Sequence, residues 1–175
     1  MSKEFVKIRK VAEPFGALGN MSPHKVDTTA HHWMPDILRR EWRTSEALFQ
    51  AMRFCGSSNE TVDEVITDIW RHKSPMGAKL VAKKNQDSML VDPCSFDDTE
   101  NMRTVLWLKL GQNAEVAEVL TSTIGMTIVE DCSNRMSGSG LFWGAALMHW
   151  GRWVGENHLG KILMDIRKAK AAEAA

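Results

Sequence analysis

The stretch Trp42 to Phe54, Trp-Arg-Thr-Ser-Glu-Ala-Leu-Phe-Gln-Ala-Met-Arg-Phe, does most to limit what this chain can build. Thr44 or Ser45 can start a helix, because a side-chain oxygen accepts from the free N–H groups of the first turn. The residues that follow are good helix formers, with neither Gly nor Pro among them. On a 3.6-residue period Glu46, Gln50 and Arg53 share one stripe, and Leu48, Ala51 and Met52 fall opposite. One face therefore seals against a core while the other shows an acid, an amide and a cation. Glu46 falls in the first turn, where the helix dipole favours negative charge. At this level two readings stand: a solvated helix face, or one wall of a site.

The rest of the chain fits around such a helix. With 175 residues it is long enough for one domain with a sizeable core. Lys plus Arg and Asp plus Glu are both 22, so no global basic field exists to hold nucleic acid. The N-terminal residues lack a signal-peptide run, and no apolar run approaches the ~18 residues of a membrane span. Cys55, Cys94 and Cys132 are odd in number and widely spaced, which suits reduced thiols in a cytoplasmic protein. Seven Trp with no Tyr is an unusual aromatic balance, and each Trp is either core or a wall for a base or sugar.

In chain order, Phe5 to Val11 alternates as a strand does, and Pro14-Phe15-Gly16 ends it. Phe15 to Pro23 is a turn-rich loop whose Gly16, Gly19 and Asn20 can bring backbone close to a ligand. Residues 24 to 41 read as a connection with a short hairpin or helical turn. His24, His31 and His32 lack the spacing of a zinc site. Asn59 caps a helix over Glu60 to His72, Ser74-Pro75-Met76 opens another, and Asp97 or Asp98 begins a third that Gly111-Gln112-Asn113 interrupts. Asn113 caps Ala114 to Leu120, Met126 to Glu130 is a short strand, and Met136 to Gly140 is a loop. Asn157 caps a last helix, and the tail from Lys168 to Ala175 is expected to fray. The expected class is α+β, helix-dominated with a few short strands, in a single domain spanning 1–175 with its core at about 15–167.

Taken together these pieces resemble the NADAR superfamily, from about Phe15 to Arg167. The family's Gly-x-x-Ser-Asn-Phe loop is matched in part by Gly16 to Met21, which keep the Gly and the Asn. Its Trp-x-Thr-Ser-Glu-His-Tyr-Phe-Gln-Ala-x-Lys-Phe is matched at Trp42, Thr44, Ser45, Glu46, Phe49, Gln50, Ala51 and Phe54, with Arg53 in place of Lys. Ser-Pro-Met-x-Ala appears at Ser74 to Ala78. Met102, Leu106, Lys109 and Gln112 follow a further pattern, Ile128-Val129-Glu130 and Trp143-Gly144 two more. Gly155, Asn157, Leu159, Gly160, Leu163, Met164 and Arg167 match the closing one. A family Trp ahead of the matched methionine falls near Cys94 here. A family Asp before Trp-Gly has no counterpart in Gly140-Leu141-Phe142.

The resemblance implies an N-glycosidase that hydrolyses a ribosyl C–N bond. Its substrate would be ADP-ribose attached to guanine, including in ADP-ribosylated nucleic acid, or an early phosphorylated intermediate of riboflavin synthesis. The alternative is a module that binds ADP-ribose or NAD without hydrolysis. Such cleavage builds positive charge on the sugar, which a fixed carboxylate stabilises, and Glu46 is the candidate. A buried lysine can attack the anomeric carbon or form a Schiff base. Lys109 leads, with Lys79 and Lys83 behind it, although a lysine that merely snorkels from its helix fits the same pattern. Asp131 is the candidate to replace the displaced acid. Asn20, Trp42, Gln50, Arg53, Lys83, Trp143 and Asn157 are the candidate substrate contacts, Arg53, Lys83 and Arg167 as phosphate holders. Asn157 reads first as a helix cap and only second as a ligand contact. No metal or other cofactor and no membrane partner is expected, so the hydrolysis is expected to be metal-independent.

Overall fold

Thr44 adopts an extended backbone and its side chain accepts the Ala47 N–H at 3.2 Å, so the helix predicted from residue 44 starts where its cap allows. In the computed structural model, which describes residues 4–56 and 60–173, the elements follow in this order. They are β1 (Phe5–Ile8), β2 (Val26–Asp27), β3 (Glu41–Trp42), α1 (Ser45–Met52), α2 (Glu60–Arg71), α3 (Pro75–Lys84), α4 (Phe96–Gln112), α5 (Ala114–Thr121), β4 (Thr127–Glu130), α6 (Ser139–Trp143), β5 (Ala146–Leu147), β6 (Trp153–Val154) and α7 (His158–Glu173). The α+β, helix-dominated class holds. The expected Asn59 cap lies outside the described residues.

The chain forms two compact units, Asn20–Asn113 and the remainder, Met1–Gly19 with Ala114–Ala175. In the first, α1 packs against α2, α3 and α4. The connection expected to hold a short hairpin or a helical turn contains both an antiparallel pair, β2–β3, and a helical turn at Asp36–Leu38. Leu48, Phe49, Ala51 and Phe54 are buried, as are Val62, Val65, Ile66 and Ile69 of α2 and Met102, Val105 and Leu106 of α4. Each fully buried Leu, Ile or Phe side chain contributes about 1.5–3 kcal/mol. Ser74 caps α3 by accepting from Gly77 N–H at 3.0 Å, with Pro75 in the first turn as expected.

Two sequence expectations about α4 are corrected. Ser95 rather than Asp97 or Asp98 is the cap, accepting the Asp98 N–H at 3.2 Å. The helix also runs through Gly111 to Gln112. The Gln112 amide accepts from Asp27 N and donates to Asp27 O, both at 2.7 Å, so the last turn is tied to β2.

In the second unit β1 and β4 pair in parallel, with Val6 opposite Ile128 and Ile8 opposite Glu130. Helix α7 lies on β4. A Cβ on Gly160 would come within 2.3 Å of Ile128 O, so the close packing of α7 on the strand needs a glycine there. The expected 136–140 loop gives way to a helical turn, α6, from Ser139. The last helix continues to Glu173, beyond the point where fraying was expected.

Candidate active site

The polar stripe of α1 is not solvated. Glu46, Gln50 and Arg53 are all buried, and each is bonded to the next. Gln50 Nε2 donates to Glu46 Oε1 at 2.8 Å, and Arg53 Nη1 donates to Gln50 Oε1 at 3.0 Å. These are the i,i+4 and i,i+3 neighbours that the helical period provides. Asn20 Nδ2 donates to the other Glu46 oxygen, Oε2, at 2.8 Å. The Asn20 carbonyl accepts from Glu46 N and Ser45 Oγ, both at 3.1 Å, which fixes the loop on the start of α1. Both Glu46 oxygens are thus held by amide donors, an arrangement that suits an acceptor-only carboxylate.

Arg53 is neutralised from the other side. Its Nε and Nη2 reach the two oxygens of Asp98 at 2.8 and 2.7 Å, the bidentate geometry that favours arginine over lysine. Its guanidinium also lies over the Phe49 ring at 4.5 Å. Asp98 is wholly buried and accepts a third bond from Cys94 N at 2.8 Å. Cys94, near the place of the family Trp, has a left-handed backbone with φ of 65°. With Arg53 engaged by Asp98 and Gln50, the Glu46 charge faces two neutral amides. Asn20 Oδ1, buried beside that carboxylate, has no hydrogen-bond partner.

Lys109 lies in the same unit with 0 % of its surface exposed, and Nζ donates to Ser22 Oγ at 2.6 Å. Burial pushes its amine down from 10.5 to about 7. An amine in that range is substantially unprotonated near neutral pH and carries the free electron pair a nucleophile or Schiff-base former requires. It does not snorkel. The sequence places Ser22 in a loop and Asp98 at a helix start, and marks neither as a site residue. They join Lys109 and Arg53 across 87 and 45 residues, and no local pattern signals such pairs.

The other predicted residues are placed differently. Trp42 is completely buried, and its indole N–H donates to Leu38 O at 3.0 Å. It belongs to the core and offers no open face to a ligand, which corrects its reading as a ligand wall. Lys83 is exposed in the last turn of α3.

Asp131, Trp143 and Asn157 belong to the second unit. Asp131 Oδ1 accepts from Ser133 N at 2.9 Å and from Ser133 Oγ at 2.5 Å, closing a turn. Asn157 accepts from Glu130 N at 3.0 Å and donates to Ile128 O at 2.8 Å. Its side chain therefore acts as a neighbour for β4, not as a cap for α7. Trp143 is half-buried beside Phe142, whose ring stacks on His158 at 4.1 Å. Arg167 donates to Thr123 O, to Thr123 Oγ1 at 2.8 Å and to Met126 O at 3.1 Å. It holds the α5–β4 connection, which leaves little of it for a phosphate. Among the described residues no cluster of three or more His, Cys, Asp or Glu is placed to hold a metal ion. Among the described residues no helix is long and apolar enough to cross a membrane.

Known proteins resemble this chain along most of its length. N-glycosidase Npun_R5314 of Nostoc punctiforme is 29% identical over 91% of this chain and 88% of its own. N-glycosidase YbiA of Escherichia coli is 28% identical over 81% of this chain and 78% of its own. Riboflavin biosynthesis protein PYRR of Zea mays, chloroplastic, is 28% identical over 93% of this chain, which spans only 24% of that longer protein. The solution NMR structure of E. coli YbiA superposes with a TM-score of 0.73 at 25% identity, over 99% of this chain and 89% of that one. The NADAR domain model matches residues 5–169, the stretch that holds the Glu46 network and the buried Lys109, and the chain belongs to the NADAR family.

Proposed function

We propose that this protein is an N-glycosidase that hydrolyses the C–N bond between a base and a phosphorylated ribose, with Glu46 and Lys109 carrying the reaction. The observation that carries the proposal is a carboxylate pinned by two amides, in the same unit as a wholly buried lysine whose amine titrates at about 7. As the base departs, positive charge grows at the anomeric carbon. A carboxylate fixed in advance stabilises it without reorganising. The neutral Lys109 amine supplies a nucleophile for that carbon or a Schiff base with the opened sugar, which water then releases. Asn20 Oδ1 offers a buried acceptor beside Glu46, suited to a ribose hydroxyl. Gln50, Arg53 and Asp98 hold Glu46 in place.

The riboflavin role in the name of one relative, PYRR, supports a riboflavin-pathway compound as substrate, and the family resemblance implies an early phosphorylated intermediate. ADP-ribose on guanine shares the same ribosyl C–N bond and is the other candidate. A second reading, binding of ADP-ribose or NAD without hydrolysis, draws on one observation. The Lys109 amine is enclosed and bonded to Ser22, and in that state it reaches no substrate.

The protein is incubated with each candidate substrate, with product analysis and with borohydride added in parallel. Release of free base, loss of turnover in Glu46→Gln, and a reduced sugar adduct on Lys109 are the expected results. Turnover at wild-type rate in Glu46→Gln sinks the role of the carboxylate. Turnover without any adduct sinks the covalent role of Lys109. A thermal shift with ADP-ribose and no product from either substrate favours the binding reading.

A further inference from the structure

Sequence composition left open whether the many tryptophans are core or walls for a ring, and two of them point to a second site. Trp33, in the connection between β2 and β3, is 63 % exposed, and Trp107 on α4 is 39 % exposed. Together with Arg103, Thr104 and Leu108 of α4 they line a groove of about 310 Å³. All five residues lie within the Asn20–Asn113 unit. The groove lies on the outward side of α4, whereas Met102, Leu106 and Lys109 of the same helix are buried. Neither Glu46 nor Lys109 contributes to its lining.

An indole exposed to water costs free energy that burial in the core would have recovered, and two such rings on one groove make a specific surface. The indole face is the best side-chain platform for a planar heteroaromatic ring, since every nucleobase has a π-face to stack. Trp33 is braced by His31, whose ring meets it edge-on at 5.8 Å. Arg103 brings a guanidinium to the groove, matched in charge to a phosphate, and the Thr104 hydroxyl brings a donor and acceptor. The Arg103 guanidinium stands 3.4 Å from Glu100 in a partly exposed pair. Such surface pairs are weak, so a phosphate can displace it. The volume lies at the lower end of small-molecule sites and matches one base with its sugar, not a long ligand.

We propose that the Trp33–Trp107–Arg103 groove binds a nucleotide, the base stacked on indole and the phosphate on Arg103. The site is separate from the glycosidase site and does not depend on it.

Indole fluorescence is titrated with dAMP, with deoxyadenosine and with a single-stranded hexamer of dA, on the wild-type protein and on Trp33→Ala, Trp107→Ala, Arg103→Gln and Glu46→Gln. The three groove substitutions are at least partly exposed and leave the core untouched, which circular dichroism verifies. Saturable quenching by dAMP is expected, weakened about tenfold by removal of either Trp. Arg103→Gln weakens dAMP and leaves deoxyadenosine unchanged, while Glu46→Gln binds as the wild type does. Tighter binding of the hexamer with a steeper salt dependence assigns the base to a polymer, whereas equal affinity per base assigns it to a free nucleotide. Wild-type affinity in both Trp variants, or no saturable quenching by any of the three ligands, overturns the proposal. Because the readout is binding, an inactive wild-type enzyme leaves this test standing.

Discussion

Replacing Lys109 with Met removes an amine that the fold holds at a cost, and the cost has a definite pH dependence. Burial lowers the amine from 10.5 to about 7. Each unit of pKa corresponds to about 1.4 kcal/mol, so the charged form is disfavoured by about 5 kcal/mol relative to the unfolded chain, an upper figure for a site that relaxes. Below pH 7 the amine is protonated in both states and the fold bears the whole penalty. Between pH 7 and 10.5 the native amine loses its proton while the unfolded one keeps it. The unfolded state then binds more protons, and stability rises with pH at up to about 1.4 kcal/mol per pH unit. Above 10.5 both states are neutral and the penalty is gone.

Lys109→Met keeps an unbranched side chain of similar reach and carries no charge. Urea denaturation of both proteins at pH 6, 7.5 and 9 isolates the lysine, because other titrating groups cancel in the difference. At pH 6 the variant is expected to be the more stable. From pH 7.5 to 9 the wild type recovers about 2 kcal/mol relative to it. The lost bond to Ser22 adds an offset of about 1 kcal/mol that does not change with pH. A difference that stays constant from pH 6 to 9 refutes the depressed amine and, with it, the neutral nucleophile.

Further expectations test the frame around the site. Asp98→Ala leaves the buried Arg53 charge without its carboxylate and should cost about 3–5 kcal/mol in urea denaturation, whereas a loss under about 1 kcal/mol would show that water or another acceptor reaches Arg53. Gly160→Ala forces a Cβ to within 2.3 Å of Ile128 O and should lower stability by about 1–3 kcal/mol. Gly111→Ala has nothing within 4 Å of the new carbon inside a helix and should raise stability by about 0.5–1 kcal/mol, so thermal melts of the two glycine variants should move in opposite directions.

What the sequence disclosed depended on range. Thr44 and Ser74 cap their helices as read, because a cap is a hydrogen bond over three residues. The Glu46–Gln50–Arg53 stripe followed from the helical period alone. Whether that stripe met water or protein was not legible, since Asp98 and Asn20 complete it from distant parts of the chain. Gly111 misled because intrinsic propensity counts against it, while the ties of Gln112 to Asp27 and of Asn113 Nδ2 to Lys25 O at 3.0 Å hold the end of α4 from outside. Trp42 misled in the opposite sense. An indole suits a ligand wall or a core, and the buried partners of its N–H, Leu38 O and Thr28 Oγ1, decide for the core. Asn157 was read as a cap because Asn precedes a helix there. Its amide instead satisfies backbone groups of β4, a use that only the docking of α7 on the strand creates.

The unpartnered Asn20 oxygen bears on how cleanly chemistry can be separated from folding at Glu46. A buried acceptor without a donor costs about 1–3 kcal/mol, and such groups survive most readily where a function uses them. The same oxygen makes Glu46→Gln an informative variant. A glutamine at 46 presents one acceptor and one donor where the carboxylate presented two acceptors. Gln50 cannot turn to accept from it without losing its bond from Arg53. Asn20 can, because its Oδ1 is uncommitted. Rotation of the Asn20 amide by half a turn would give the new Nε2 its acceptor, while Gln50 Nε2 keeps its own at the new Oε1. Every bond of the network is then conserved, and the change in stability should stay under about 1 kcal/mol. What disappears is the negative charge, together with the Asn20 acceptor offered to a ribose hydroxyl, so a loss of turnover in a variant that melts like the wild type falls on the chemistry of the site and not on the fold.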